Sequence, residues 1–260
     1  MLIFFDIDGT LIGEETHRMT RSTAEAIKKA RAAGHICIVN TGRTGKLILP
    51  NLFGETEFDG ILMGCGTMIQ YHEETLLHKT FTEEESLQII EGLRKYRIDA
   101  ILEGYRDNFC DSDDNIFSED FLKFVHCFDS LEYKNYSEAP GRFDKFYAYT
   151  VNPSCMEEFS REFADRLEIV DRKKGYYEIM PKGYSKASGI RFLADTLGID
   201  MAQTVAVGDS SNDIPMLECA GVSIAMGNAT DDVKALADYV TTDVEENGIE
   251  NALRWLGAIS

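Results

Sequence analysis

Met1-Leu2-Ile3-Phe4-Phe5-Asp6-Ile7-Asp8-Gly9-Thr10 is the stretch around which the chain is organised. Four apolar residues, Leu2 to Phe5, form a run too short for a helix and continuous enough for a strand buried on both faces. That strand delivers two carboxylates, Asp6 and Asp8, into a glycine turn. Taken alone, Asp-x-Asp-Gly reads as a solvated strand-to-turn junction, because Asp and Gly are common turn residues. It becomes a site only if other parts of the chain bring complementary chemistry to the same place.

Two further strand ends do so. Residues 20–33 carry Ala24, Ile27, Ala30 and Ala33 along one helical face, with Thr20 or Ser22 as the cap and Gly34 as the stop. The apolar run 36–39 follows and ends in Asn40-Thr41-Gly42-Arg43. Strand, helix, strand is the unit of a parallel α/β sheet with right-handed crossovers. Much later, Ser185 caps a helix bearing Ile190, Leu193, Ala194 and Leu197 and closed by Gly198. The apolar run 204–207 then ends in Gly208-Asp209-Ser210-Ser211-Asn212-Asp213, and a further run, 222–225, ends in Met226-Gly227-Asn228. Ligands of open α/β sheets bind outside the carboxyl ends of the strands. Asp6, Asp8, Thr41, Asp209 and Asp213 are therefore candidates for one site. Four or more acids in one place require a cation, and Mg²⁺ is the hard ion that takes carboxylate oxygens together with substrate phosphates. Phosphoryl transfer needs such a metal, a nucleophile, hydroxyl or cationic donors and a proton donor for the leaving group. Thr41 supplies a hydroxyl, Gly42 lets the backbone approach an oxyanion, and Lys186 at the start of a helix is the candidate cation.

Between these halves the composition changes. Of the 26 Phe and Tyr residues, 19 lie between positions 81 and 184, which points to a separate aromatic core rather than a continuation of the first sheet. A capping box at Thr82-x-x-Glu85 opens a helix through 96. Strand-like runs follow at 100–103 and 146–151, with a helix-like segment 121–128 between them. A helix at 154–167 and strands at 168–170 and 176–180 complete the insert. The expected organisation is a catalytic core of residues 1–80 and 185–260 interrupted by an α+β domain of residues 81–184. Residues 67–79 read as two short strands around His72-Glu73-Glu74-Thr75. Gly64-Cys65-Gly66 lacks the third glycine and the following helix of a dinucleotide fingerprint. Asp111-Ser112-Asp113-Asp114-Asn115 lacks the glycine and terminal glutamate of a calcium loop and reads as an acidic surface loop.

The net charge of −19 argues against nucleic-acid partners and anionic membrane surfaces, which are held by clustered Lys and Arg. There is no basic leader and no apolar stretch near the roughly 18 residues of a span. The six cysteines form no Cys-x-x-Cys pair, so a zinc or redox motif is not expected. A reducing cytoplasm is the expected compartment. Oligomeric state is not readable.

Four ordered motifs carry a resemblance. Asp6-Ile7-Asp8-Gly9-Thr10, Thr41-Gly42-Arg43, Gly183-Tyr184-Ser185-Lys186 and Gly208-Asp209-Ser210-Ser211-Asn212-Asp213 are similar to the four motifs of haloacid dehalogenase (HAD) superfamily phosphatases. The spacing resembles the Cof-like branch, which has a large cap inserted between the second and third motifs. The resemblance implies a doubly wound, Rossmann-like parallel sheet with an inserted α+β cap. It also implies a Mg²⁺-dependent phosphatase acting on small phosphate esters, sugar phosphates among them, through an aspartyl-phosphate. By resemblance, Asp6 is the nucleophile and Asp8 the general acid/base. The metal is held by Asp6, the Asp8 carbonyl and Asp209, with Asp213 behind them. Thr41 and Lys186 hold the phosphoryl group, Asn212 contacts phosphate or metal-bound water, and Gly42 and Arg43 lie on the substrate side. The paired second aspartate argues for phosphate rather than halide chemistry. Two departures, Asn40 where alanine is common and Cys65-Gly66-Thr67 where Asn-Gly-Ala is frequent, bear on the shape of the substrate pocket. A phosphomutase on the same scaffold and a non-catalytic binder of phosphorylated ligands are the alternative readings.

Overall fold

The computed structural model describes residues 1–13, 15–127 and 132–260. In chain order it places β1 (Leu2–Phe5), α1 (Arg21–Ala32), β2 (Ile36–Asn40), β3 (Gly60–Met63), β4 (Met68–Tyr71) and β5 (Glu74–His78). There follow α2 (Glu83–Lys95), β6 (Asp99–Glu103), β7 (Asn108–Cys110), α3 (Glu119–Cys127), β8 (Lys134–Asn135), β9 (Lys145–Tyr149), α4 (Pro153–Glu162), β10 (Leu167–Asp171) and β11 (Tyr176–Pro181). The chain closes with α5 (Lys186–Leu197), β12 (Thr204–Gly208), α6 (Ile214–Cys219), β13 (Val222–Ala225), α7 (Asp231–Leu236), β14 (Tyr239–Val240) and α8 (Gly248–Trp255). Two compact units result. The first comprises Met1–Gly42, Leu49–Leu77 and Ser185–Ser260, and the second comprises Arg43–Ile48 and His78–Tyr184.

In the first unit the sheet order is β14-β13-β12-β1-β2-β3-β4-β5. β1 sits between β12 and β2 and is parallel to both, with Phe5 opposite Val207 on one side and Val39 on the other. The chain winds away from β1 in one direction before the second unit and in the other direction after it, so the carboxyl end of β1 is a topological switch point. Alternation along β1 divides its side chains between two layers. Ile3 and Phe5 pack with Ala26, Ile27, Ile249 and Leu253 from α1 and α8. Leu2 and Phe4 pack with Ile190, Leu193 and Met216 from α5 and α6. This accounts for the uninterrupted apolar run, since neither face of the strand meets water. β4 returns antiparallel to β3, giving the otherwise parallel sheet a mixed edge.

The second unit has its own sheet, ordered β10-β11-β9-β6-β7-β8, antiparallel except for the β7–β8 pair. One face carries Leu102, Phe109, Phe146 and Ile179 against Ile89, Leu93, Met156 and Phe159 of α2 and α4. This is where the aromatic enrichment goes. On the other face, Ile101, Cys110 and Tyr149 pack with Phe121 and Val125 of α3. His78 and Thr80 group with this unit because both bond to Asp144, at 3.0 Å from His78 Nε2 and 2.8 Å from the Thr80 hydroxyl.

Local chemistry explains where elements begin. Thr20 caps α1 by accepting from the Thr23 amide, and the predicted capping box at Thr82 and Glu85 is formed. α4 starts and ends earlier than its apolar pattern predicts. Asn152 caps it with Pro153 in its first turn, and the helix ends at Glu162 so that Leu167 can open β10. The turn between β4 and β5 takes only two residues, 72 and 73, with His72 at φ 51°. β7 and β8, of three and two residues, are too short to be expected from pattern. Position 128, the predicted end of α3, lies outside the described residues. The calcium-like segment is a single turn at Asp113–Asn115, with Asp111 held by Arg94 at 2.9 Å. The cysteines are unpaired among the described residues, and no helix there is long and apolar enough to cross a membrane.

Candidate active site

The strand ladder carries on one residue past β1, as the Asp6 amide donates to the Val207 carbonyl at 3.0 Å. The Asp6 carboxyl therefore has its direction set by the sheet. The chain then turns sharply: the Leu11 and Ile12 amides return to the Ile7 carbonyl, and the Gly9 amide donates to the Ile12 carbonyl, each at 2.9 Å. Gly9 is at φ +77°, and a Cβ there would lie 2.4 Å from Asp209 Oδ2. The motif glycine is thus required both by its backbone conformation and by the approach of a carboxylate from the next strand. The Thr10 hydroxyl donates to Asp209 Oδ1 at 3.0 Å.

After β12 the chain folds back on itself. Asp213 Oδ2 accepts from the amides of Asp209 and Ser210, both at 3.0 Å. The spacing of four between Asp209 and Asp213 closes one turn and directs both side chains inward. Lys186 is the first residue of α5, placed by the cap and capping box of Ser185 and Ser188. Its ammonium is 1% exposed and bridges Asp6 Oδ1 at 2.5 Å and Asp213 Oδ1 at 2.6 Å. The Asn40 amide nitrogen donates to the Lys186 carbonyl at 3.2 Å. The Gly66 turn leaves no room for a side chain, since a Cβ would stand 2.5 Å from the Ser185 carbonyl. Asn40 and Gly66, predicted to bear on the substrate pocket, thus both support the helix start that carries the lysine.

One carboxylate oxygen from each of Asp6, Asp209 and Asp213 lies within 4.8 Å of the others. Three carboxylates share one buried ammonium, and their protonation is displaced accordingly. Burial, reinforced by Asp213, pushes Asp6 up to about 7 despite Lys186, and Asp8 adds to the rise. Burial, with Asp6 and Asp213, pushes Asp209 up to about 8. Burial works against the charge on Lys186, but Asp213 and Asp6 outweigh it and hold the ammonium above its ordinary value. An all-oxygen donor set with excess negative charge fits a hard divalent cation. Both oxygens of Asp213 are already committed, one to Lys186 and one to two backbone amides. Asp6 and Asp209 are therefore the carboxylates able to face such an ion.

Asp6, Lys186, Asp209 and Asp213 are thus brought together from positions up to 207 residues apart. Asp8 is half-buried on the turn that follows Asp6. Thr41 is buried just past β2, its amide on the Leu62 carbonyl at 2.9 Å. Asn212 is half-buried, its Oδ1 accepting from the Ser210 hydroxyl at 2.5 Å. Gly42 is the last residue of its segment in the first unit. Arg43 belongs to the second unit, where Nη1 donates to the Leu47 carbonyl at 3.2 Å. Asn228 escaped sequence reasoning as a site residue. Its Nδ2 donates to the Gly9 carbonyl at 2.8 Å while its Oδ1 accepts from the Val244 amide, fixing the turn that carries Asp8. Its place in the loop after β13 is the only hint the sequence carries, since the bond to the Gly9 carbonyl leaves no local mark.

Comparison with known proteins gives a concordant result. The family profile of haloacid dehalogenase-like hydrolases matches residues 3–253. Two proteins of Bacillus subtilis (strain 168) are similar over nearly their whole length. The 5-amino-6-(5-phospho-D-ribitylamino)uracil phosphatase YcsE is 27% identical, covering 97% of this chain and 94% of its own. Phosphatase YwpJ is 26% identical, covering 98% and 99%. The solved structure of the HAD subclass IIB sugar phosphatase BT4131 matches with a TM-score of 0.81 at 28% identity, over 99% of each chain.

Proposed function

The chain belongs to the haloacid dehalogenase-like hydrolases, and from that premise we propose that it is a Mg²⁺-dependent phosphatase hydrolysing small phosphorylated metabolites, sugar phosphates foremost, through an aspartyl-phosphate on Asp6. The observation that carries this reading is the buried bridge of Lys186 between Asp6 and Asp213, with Asp209 alongside. A mere phosphate-binding module has no need of a carboxylate held at the point where an anion would enter. A carboxylate that attacks phosphorus does need a fixed cation beside it.

Asp6 Oδ1 is held by Lys186, so the other oxygen attacks. It bonds to phosphorus as the ester P–O bond breaks. Asp8 protonates the departing alkoxide, then takes a proton from the water that cleaves the Asp6–phosphorus linkage. Thr41 and Lys186 hold phosphoryl oxygens, with Gly42 and Asn212 beside them and Arg43 toward the substrate. Asp6, the Asp8 carbonyl and Asp209 would hold Mg²⁺, which supplies charge neutralisation for the phosphoryl oxygens. Asp213 binds no metal and keeps Lys186 and the Asp209 amide in place. The domain of residues 81–184 serves as the cap that selects substrates. Asp6→Asn keeps the size of the side chain and removes the nucleophile. Turnover of p-nitrophenyl phosphate with Mg²⁺ is expected to fall by about a thousandfold or more, and a variant within tenfold of the parent would refute the assignment.

A further inference from the structure

Asp8 must stand where it can hand a proton to the departing oxygen, and its neighbour in the chain works against a fixed position. Gly9 is required by the approach of Asp209, since a Cβ would lie 2.4 Å from Asp209 Oδ2. Glycine is also the residue with the widest choice of backbone angles. Both sides of Gly9 are nonetheless fastened. Its amide donates to the Ile12 carbonyl at 2.9 Å, and its carbonyl accepts from Asn228 Nδ2 at 2.8 Å. Asn228 is itself held, its Oδ1 accepting from the Val244 amide at 3.0 Å. Val244 is buried in the layer that contains Leu11 and Ile12. The backbone on either side of Asn228 is tied to the end of β12. The Met226 amide donates to the Gly208 carbonyl at 3.0 Å, and the Thr230 amide donates to the Asp209 carbonyl at 3.2 Å. A fixed loop thus reaches across to the backbone carbonyl one residue past Asp8.

Packing does not account for this asparagine. Asn228 is exposed, so it adds nothing to the core. A bond from an exposed amide contributes little to stability, while it orders a side chain that would otherwise turn freely. What the bond does decide is the path of the chain through Gly9, and with it the place of Asp8. A carboxyl displaced even slightly stays in the site but loses hydrogen-bond reach to the leaving oxygen. We propose that Asn228 is a positioning residue for the general acid. It acts through the Gly9 carbonyl to hold Asp8 in line with the leaving group, so it matters in proportion to how much that group needs a proton. This rests on the phosphatase reading above and adds to it a residue outside the four motifs.

Asn228→Ala tests it by removing the donor at an exposed position. Values of kcat/KM are measured at saturating Mg²⁺ for 2,4-dinitrophenyl, p-nitrophenyl and phenyl phosphate. These esters are similar in shape, and their leaving groups need increasing help from an acid. The constant reports events up to the transfer of phosphorus to Asp6, so the later work of Asp8 on water does not enter. The ratio of the phenyl to the dinitrophenyl value is independent of the folded fraction and of any uniform change in metal occupancy. It is expected to fall by about tenfold. In an Asp8→Asn background, where the acid is already gone, the same substitution is expected to change the ratio by less than threefold. A fall of less than threefold in the single variant overturns the inference, as does a fall of threefold or more that persists in the Asp8→Asn background. If Asp8→Asn alone leaves the ratio unmoved, Asp8 is not the acid and the inference fails, while turnover by the parent still supports a phosphatase. A parent that hydrolyses none of the three esters overturns the phosphatase reading, and this inference with it.

Discussion

Asp209→Asn is expected to make the metal-free protein more stable than its parent, and Mg²⁺ is expected to cancel most of that advantage by stabilising the parent alone. Asp209 has a folded pKa of about 8 against an ordinary 3.8, chiefly through burial and then through Asp6 and Asp213. An acid whose folded value is raised keeps a proton that the unfolded chain has released. Stability is therefore lost as pH rises from the unfolded value toward the folded one. By pH 7 the interval is about three pH units, and at 1.36 kcal/mol per unit the penalty is about 4 kcal/mol. Asparagine has no such penalty and still offers Thr10 an acceptor, so the gain in chelator at pH 7 is put at about 2–4 kcal/mol. The gain should vanish near pH 4, where parent and variant are both uncharged at this position. Mg²⁺ at a hundred times its dissociation constant should raise the parent by about 2.7 kcal/mol and leave the variant nearly unmoved. Urea denaturation followed by tryptophan fluorescence makes the measurement. The single tryptophan, Trp255, stacks on Tyr239 at 4.4 Å within the unit that holds Asp209. A variant less stable than its parent in chelator at pH 7, or one that gains as much from Mg²⁺, would show that the three carboxylates do not repel as described.

Gly9→Ala forces a Cβ to within 2.4 Å of Asp209 Oδ2 on a left-handed backbone. It should cost about 1–3 kcal/mol of stability and about a hundredfold in kcat/KM through misplacement of the turn. Steady-state kinetics within threefold of the parent would remove that constraint. His78 hydrogen-bonds both oxygens of Asp144, which raises its pKa above 6.5 against a smaller opposing effect of burial. Its contribution is complete below pH 6.5 and declines as pH rises through the raised value. Because the ring is about one-third exposed, His78→Gln should lose under about 1 kcal/mol, and only on the acid side. A loss that grows toward pH 8 would contradict the sign.

What could be read from sequence follows from where information is local. Asp6, Thr41 and Asp209 each follow the end of an apolar run, at once or after a single residue, and Lys186 directly follows a serine cap, so one residue's neighbours reveal its position at a strand or helix end. The doubly wound order was legible for the same reason. Asn40 and Asn228 act through a side-chain bond to a distant carbonyl, which leaves no mark in local pattern. Four buried polar residues of the second unit, Asn108 on β7, Glu103 on β6, Lys145 on β9 and Glu178 on β11, are harder still. Each is ordinary in its own surroundings, and they become unusual only when antiparallel register sets them side by side. The boundaries of α4 differ from the expected 154–167 because Asn152 and Pro153 set its start and β10 takes over at Leu167.

The central position of β1 bears on how the protein is made. Leu2 pairs with Thr204 on one side and Ile36 on the other. One neighbour is available soon after synthesis of β1, but the other arrives only after about 200 more residues. At about 5–20 residues per second this is on the order of 10–40 s. Throughout that time an apolar strand, ending in two aspartates that still lack Lys186, presents an open edge on the ribosome. The second unit, wholly translated within that interval, can fold while the first waits. The nascent chain should therefore engage holding chaperones most strongly at lengths between about 80 and 200 residues.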